Sequence, residues 1–438
     1  MKIAVIGAGY VGLVSGACLA DFGHEVCCID RDPRRIENLR AGRMPIYEPG
    51  LAELTAANVS AGRLFFEQDL ATGIRDAEVI FIAVGTPSRP EDGHADLTFV
   101  YDVTREIAAH LKGYAVIVTK STVPVGTSDE VERIVRSLRP EIEFSVASNP
   151  EFLREGAAIG DFKIPDRIVV GVEDDRARAV MAAVYRPLFL NQAPMLFTDR
   201  RSSELTKYAA NAFLATKITF INEMADICEK TGANVQDVAR GMGLDKRIGP
   251  KFLHAGPGFG GSCFPKDVRA LIKTGQDFDV PSRIVEAVAD VNERRKRRMG
   301  RRIIAACGGD IRDRVIAVLG LTFKPRTDDM REAPSIAIIQ TLHDAGARVH
   351  AFDPAGMEQA REVLGDVTYF RDPYQAVAGA DAVAIVTEWE SLRALDLKKM
   401  HGLMRRSILV DLRNIYVPEQ AVAAGFTYLS VGRGDLEA

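Results

Sequence analysis

The chain has 438 residues, 47% hydrophobic and 26% charged, with 56 Lys and Arg against 60 Asp and Glu for a formal net charge of -4. That composition excludes collagen-like, disordered and small disulfide-stapled classes, and the near-neutral balance leaves no electrostatic footprint for nucleic acid or an anionic membrane. At roughly 150 residues per domain, the length predicts two or three domains with room for a large core.

Lys2 to Ile6 is a short β-branched run that predicts a strand, entered directly from the N-terminal methionine. Gly7-Ala8-Gly9-Tyr10-Val11-Gly12 and an apolar helical pattern through Leu19 follow, and Glu25 to Ile29 reads as a second strand, which completes a βαβ unit. Adjacent Cys27 and Cys28 then point to opposite faces of that strand. Apolar runs at Val79 to Val84, Ala115 to Thr119, Phe144 to Ala147 and Ile168 to Val170 alternate with helical stretches. The first 195 or so residues therefore read as a doubly wound parallel sheet of Rossmann type.

From Ser202 to Lys230 the pattern is one long connector helix, with Ser202 or Ser203 as N-cap and Gly232 just past its end. A Gly-rich loop at Gly256 to Gly261 precedes a second helix from Ser282 to Ala306, whose run Arg294-Arg295-Lys296-Arg297-Arg298 reads as a solvated face. A second α/β series begins with Val315 to Leu319 and continues through Ile336 to Leu342, Val349 to Phe352, Val383 to Val386 and Ile408 to Val410. It reads as half of another doubly wound sheet. Its first turn, Gly320 to Pro325, lacks the three-glycine fingerprint, so a second dinucleotide is not implied. The expected organisation is an α/β domain over 1–198, a helical connector and dimerisation region over 199–308 that carries the cysteine loop, and a second α/β domain over 309–438. A ligand site is expected in the crevice between the two α/β domains.

Gly7, Gly9 and Gly12 supply a tight turn, close approach of backbone to a pyrophosphate and close helix-to-strand packing at a positive helix N-terminus. Asp30, at the end of the second strand, is placed to bind ribose hydroxyls and to repel a 2'-phosphate. NAD is the expected cofactor, although Arg31, Arg34 and Arg35 lie close by. Six cysteines sit at no metal-ligand spacing, so reduced thiols, no metal and a cytoplasmic location are expected. No apolar run approaches the roughly 20 residues that span a bilayer.

Cys18, Cys27, Cys28, Cys228 and Cys307 fall in apolar patterns and read as inert. Cys263 is different, because it follows Gly258-Phe259-Gly260-Gly261-Ser262 and precedes Phe264-Pro265-Lys266-Asp267. A thiolate beside a nicotinamide captures an aldehyde as a thiohemiacetal, which loses a second hydride to give a thioester that water hydrolyses. Such an enzyme takes an alcohol to a carboxylate. Its thiol needs a lowered pKa, for which a nearby lysine is suited. Lys207 and Asn211, four apart on the connector helix, can stabilise an oxyanion from one face. Glu151 and Glu155, in Asn149-Pro150-Glu151-Phe152-Leu153-Arg154-Glu155, can activate hydrolytic water.

These residues resemble the nucleotide-sugar 6-dehydrogenase family. The resemblance runs over essentially the whole chain through Gly7 to Gly12, Gly85-Thr86-Pro87, Ser121-Thr122-Val123-Pro124, Asn149 to Leu153, Lys207 with Asn211, Gly260 to Cys263, Pro265-Lys266-Asp267 and Phe323-Lys324. It implies NAD-dependent four-electron oxidation of UDP-glucose to UDP-glucuronate, with Cys263 as nucleophile. By the same resemblance Lys207 and Asn211 stabilise alkoxide and oxyanion, Asp267 orients or activates water, and Glu151 assists thioester hydrolysis with Thr122 nearby. The first proton acceptor stays open. The family would place Gly7, Gly9, Tyr10, Val11, Gly12, Asp30, Arg35, Thr86, Thr122, Glu155, Lys266 and Arg331 around NAD. Glu151, Phe152, Leu153, Lys207, Asn211, Phe252, Leu253, His254, Ala255, Gly256, Gly260, Lys324 and Arg413 would surround the nucleotide sugar, with Arg247 donated across a homodimer interface. Two departures, Ala333 for a frequent serine and Leu412 for a small residue, touch no catalytic group. The alternatives are the same chemistry on GDP-mannose or a UDP-N-acetylhexosamine, a two-electron hydroxy-acid dehydrogenase, and a non-catalytic NAD-binding redox sensor.

Overall fold

The structure, a computed structural model, describes residues 1–89 and 91–434, the side chains at 189–191 excepted. The chain divides into two compact units, residues 1–210 with 269–280, and residues 211–268 with 281–438.

The first unit holds eight strands: β1 (Lys2–Ile6), β2 (Glu25–Ile29), β3 (Leu64–Glu67), β4 (Val79–Ile82), β5 (Val116–Thr119), β6 (Ser145–Ser148), β7 (Ile168–Val172) and β8 (Met195–Thr198), in the order β3-β2-β1-β4-β5-β6-β7-β8. β4, β5 and β6 are buried throughout, as expected for strands covered by helices on both faces. Alternate residues feed two apolar clusters: Val5 and Cys28 face one, Ala4, Ile6 and Ile29 the other. Cys27 packs on the second cluster, so the adjacent cysteines do take opposite faces. The sequence predicts a sheet that is parallel throughout. β7 runs antiparallel to β6, so the sheet is parallel only as far as β6, and β8 pairs parallel with β7. A fully buried run such as Ile168 to Val170 has no polar face to mark its direction.

The connector helix spans Arg200–Thr231, two residues earlier than the serine cap reading. Asp199 takes the capping role, its Oδ1 accepting the Ser202 N–H at 2.7 Å. Ser203 lies inside the first turn, buried, and donates to the Ser148 carbonyl at 3.2 Å. Gly232 follows the helix with φ +77°, as the C-terminal signal requires. The Arg283–Ala306 helix corrects a second reading. Arg294, Arg297 and Arg298 are exposed, but Arg295 and Lys296 are buried. A basic run on a 3.6-residue period cannot occupy one face, and two of its members turn inward.

The second unit holds β9 (Val315–Leu319), β10 (Arg348–Phe352), β11 (Val367–Tyr369), β12 (Ala382–Ile385), β13 (Ile408–Asp411) and β14 (Thr427–Ser430). All pair parallel in the order β11-β10-β9-β12-β13-β14, a complete doubly wound sheet where the sequence suggested half of one. Short β11 and β14, at the two edges, carry too few apolar residues to announce themselves. Asp353, just past β10, stands where Asp30 stands past β2. Its carboxylate, however, accepts the N–H groups of Leu321, Thr322, Ala355 and Gly356 and the Trp389 indole at 2.7–3.1 Å. That acid is consumed by its own chain.

Candidate functional site

In the first unit the turn after β1 is shaped for a diphosphate. A Cβ at Gly7 would meet the Ala83 carbonyl oxygen at 2.6 Å, and one at Gly12 would overlap the Gly7 oxygen at 1.7 Å. A Cβ at Gly9 would meet nothing within 4 Å. Two glycines therefore close the turn, and the third leaves open space at the N-terminus of the Tyr10–Asp21 helix, whose first turn carries no acidic residue. Gly7 and Gly9 line a cavity of about 300 Å³ with Asp30, Arg31, Arg35, Gly85 and Phe99. Asp30 accepts from Ala8 N and Arg35 Nη1 at 2.9 Å each. Arg35 is thereby engaged by a carboxylate, and Arg31 lies over the Phe99 ring at 4.7 Å. The residues present fit NAD.

Tyr10 and Glu48 brace this turn. Glu48 accepts the Tyr10 hydroxyl and the N–H groups of Gly156 and Ala158, the latter two at 2.6 and 2.8 Å. Burial and that carboxylate push the Tyr10 phenol far up, which keeps it a donor. Val11 is half-buried behind it, and Glu155 is half-buried in the same loop as Gly156. Thr86 donates to the Thr122 carbonyl at 2.8 Å, joining two motifs read separately in the sequence.

Glu151 and Lys207 form a buried ion pair, Nζ to Oε1 2.9 Å, with side chains 5% and 4% exposed. Glu151 also accepts the Leu153 N–H at 2.5 Å. Burial alone would raise this carboxyl, but Lys207, Leu153 N–H and Lys120 outweigh it and hold it below the usual range. Phe152 sits beside the pair, its ring 5.4 Å from the Lys207 ammonium. Lys120 was missed in the sequence. It is wholly buried, donates to Asn149 Oδ1 at 3.2 Å, and is pushed down to about 8 by burial, with Glu151 opposing the shift. Only its place between β5 and the Ser121 motif marked it, since an apolar strand gives no reason to expect a lysine at its end.

In the second unit Cys263 immediately precedes the Phe264–Asp277 helix, and its carbonyl accepts the Asp267 N–H at 2.8 Å. A thiol at a helix N-terminus has its thiolate favoured by the backbone dipole. The Ser262 hydroxyl lies 3.4 Å from the sulfur. Asp267 is buried between Asn211 Nδ2 at 2.6 Å and Lys266 Nζ at 2.8 Å. The two predicted oxyanion donors of the connector helix thus each hold a carboxylate: Lys207 holds Glu151, and Asn211 holds Asp267.

The glycine loop before Cys263 is packed against the second sheet's first turn. A Cβ at Gly260 would strike the Glu332 oxygen at 2.3 Å, and one at Gly261, where φ is +83°, would enter the Phe323 ring at 2.7 Å. Gly261 N–H donates to the Arg331 carbonyl at 2.8 Å, while the Arg331 guanidinium is held by Asp329. Arg413 donates to the Val386 and Phe323 carbonyls, and a Cβ at Gly256 would meet its Nη1 at 3.0 Å. Lys324 lies next to Phe323, its ammonium 5.2 Å from the ring. Leu253, His254, Ala255 and Arg413 line one cavity of about 400 Å³. Phe252 adopts φ +65°, rare for a non-glycine residue, and packs on Phe264 at 6.1 Å between ring centres. Arg247 stands apart, its side chain 89% exposed and paired with Asp245.

Among the described residues no helix is long and apolar enough to cross a membrane. Three family models match in series: the UDP-glucose/GDP-mannose dehydrogenase family NAD binding domain over residues 1–189, its central domain over 201–294 and its UDP binding domain over 317–418. The chain is 64% identical to UDP-glucose 6-dehydrogenase of Rhizobium meliloti, covering 99% of this chain and 100% of that one. It is 47% identical to UDP-glucose 6-dehydrogenase of Pseudomonas aeruginosa, covering 99% and 98%. A solved UDP-glucose dehydrogenase from Pyrobaculum islandicum superposes with a TM-score of 0.91 at 42% identity, over 99% of this chain and 98% of that one.

Proposed function

Since the chain belongs to the UDP-glucose/GDP-mannose dehydrogenase family, we propose that it oxidises UDP-glucose to UDP-glucuronate, with two NAD per turnover and Cys263 as the covalent nucleophile. The observation that carries this reading is the helix-capping Cys263 on a glycine loop, in a chain whose Gly7 to Gly12 turn fits a dinucleotide. NAD, when bound in that turn, supplies the hydride acceptor for both oxidations.

Oxidation of the sugar's primary alcohol leaves an aldehyde. The Cys263 thiolate adds to its carbonyl carbon, and the resulting oxyanion takes up charge that Lys207 and Asn211 are suited to stabilise. Loss of a second hydride turns the thiohemiacetal into a thioester. Water then attacks the acyl carbon, the C–S bond breaks, the thiolate leaves and the carboxylate is released. Asp267 is the residue to orient that water, because its carboxylate is fixed from two sides. Glu151, held ionised by Lys207, assists the hydrolysis with Thr122 nearby. Phe252 to Gly256, Gly260, Lys324 and Arg413 hold the nucleotide; their clustering in the second unit supports this assignment.

A homodimer through the connector helix completes the reading. Phe213, Phe220 and Ile227 repeat at heptad spacing along that helix and are exposed, an apolar stripe suited to a second copy of the helix. Arg247, exposed on one chain and paired there with Asp245, is the side chain donated to a partner's site. The location is cytoplasmic, where nucleotide sugars and reduced thiols coexist. The division into 1–198, 199–308 and 309–438 assigns cofactor, dimer and nucleotide roles in that order. The test is turnover on UDP-glucose, GDP-mannose and a UDP-N-acetylhexosamine. The highest kcat/KM is expected on UDP-glucose, and preference for GDP-mannose would overturn the substrate assignment.

A further inference from the structure

The Arg283–Ala306 helix has no part in the chemistry so far, yet two of its buried side chains hold the loop that leads to Cys263. Asn292, 2% exposed, accepts the Phe259 N–H at 2.8 Å and donates to the Phe259 carbonyl at 3.1 Å. One side-chain amide thus satisfies both polar groups of a single loop residue, as a neighbouring strand would. Arg295, three residues on and 4% exposed, donates through Nε to the Gly256 carbonyl at 2.6 Å. Its Nη1 reaches the Asn222 carbonyl at 3.0 Å and Asp226 at 3.1 Å, while Asn222 Oδ1 accepts the Gly256 N–H at 2.8 Å. Between these anchors Gly258 takes φ +113°, and a Cβ there would stand 2.8 Å from Asn292 Oδ1.

Burying a guanidinium is costly, and packing alone would be served better by an apolar side chain. What the polar pair provides is a fixed backbone. Asn292 and Arg295 share one helix face, and their bonds fall on residues 256 and 259, inside the segment proposed to hold the nucleotide and four residues before the thiol.

We infer that Asn292 and Arg295 are positioning residues for the cysteine loop: they set the main chain of Gly256 to Phe259, and through it the nucleotide contacts and the placement of the Cys263 sulfur. The inference deepens the proposed function and rests on it for the role of the loop. Neither side chain touches a reacting atom.

The test compares the full-length native protein with Asn292→Ala, Asn292→Asp and Arg295→Met. Three readings are taken: KM and kcat for UDP-glucose, the rate of Cys263 alkylation by iodoacetamide, and NADH affinity by fluorescence. Loss of two buried hydrogen bonds should raise KM for UDP-glucose by roughly tenfold and change the alkylation rate by at least about threefold, with NADH affinity kept within about twofold. Asn292→Asp keeps the acceptor for Phe259 N–H but opposes the Phe259 carbonyl with a carboxylate oxygen until it is protonated. Its kcat/KM relative to native should therefore rise as pH falls from 8.5 to 6.5, a profile that a merely structural role would not produce, and it serves as the second variant if the alanine form does not fold. Variants that bind NADH normally, and whose KM and alkylation rate stay within about twofold of native, would overturn the inference. Absence of UDP-glucose oxidation by the native protein would instead refute the proposed function, and the alkylation rates would still decide whether the loop is positioned by Asn292.

Discussion

Replacing Lys207 with methionine leaves Glu151 buried without its nearest cation. Breaking a buried pair from one side typically costs about 3–5 kcal/mol, because the surviving charge is left uncompensated. Both side chains are about 95% buried and 2.9 Å apart, which puts the pair in that class, while the Lys120 charge nearby moves the expectation toward the low end, about 3 kcal/mol. The sign with pH follows from Glu151. In the native protein its carboxyl lies below the ordinary range, so the pair's stabilisation is present above that range and is lost as pH falls through the folded value. In the variant burial dominates and the carboxyl moves up, so the destabilisation is greatest at neutral pH and shrinks toward pH 5 as Glu151 takes a proton. The assay is hydrogen exchange of the 149–155 segment, whose Leu153 amide donates to Glu151. A loss of about 3 kcal/mol appears as roughly a hundredfold drop in protection at pH 7, and Lys207→Met with Glu151→Gln should recover most of it. Protection within about threefold of native, or a drop that does not diminish on acidification, would mean that Lys207 does not hold Glu151 ionised.

Gly12→Ala forces a Cβ to within 1.7 Å of the Gly7 oxygen and should abolish NADH binding with a clear fall in Tm. Gly9→Ala has room in the protein itself, so Tm should stay within about 2 °C of native while NADH titration shows weakened binding at the diphosphate position. Lys120→Met should be at least as stable as native at pH 7. Native Lys120 titrates near 8 against about 10.5 unfolded, so the cost of keeping it charged, up to roughly 3 kcal/mol, is complete below pH 8 and fades as pH rises toward 10.5. The variant's advantage in Tm should narrow between pH 7.5 and 9.5. Phe213→Glu with Phe220→Glu places charges in the exposed heptad stripe, and light scattering should report a monomer in place of a dimer.

The parts of the fold legible in the sequence were those where local chemistry is unambiguous. β-branched runs marked β1, β2 and β9, and Gly7, Gly9 and Gly12 marked a turn whose three roles the structure separates, two glycines enforced by contact and one by open space. Edge strands β3, β8, β11 and β14 were silent because a strand with one neighbour needs little apolar surface. The direction of β7 was illegible for the opposite reason, since a strand buried on both faces has no polar pattern to orient it. Within the candidate site, motif context singled out Cys263, spacing singled out Glu151, Lys207 and Asn211, and the family resemblance added Asp267, but which carboxylate each donor would hold depends on contacts between segments distant in sequence. Arg295 and Asn292 were hidden in a basic helix that reads as solvated, and Lys120 at the end of a buried strand. Buried polar residues satisfied by remote backbone leave no periodic trace.

Cys263 is proposed to carry a four-electron oxidation, and the direct measurement is NADH formed per UDP-glucose consumed by the purified protein, with Cys263→Ala run in parallel. Two NADH per sugar in the native protein, with UDP-glucuronate formation lost and NADH binding preserved in the variant, is the expected result. One NADH per sugar, or a variant that still forms the acid at the native rate, would contradict the thiol-dependent route.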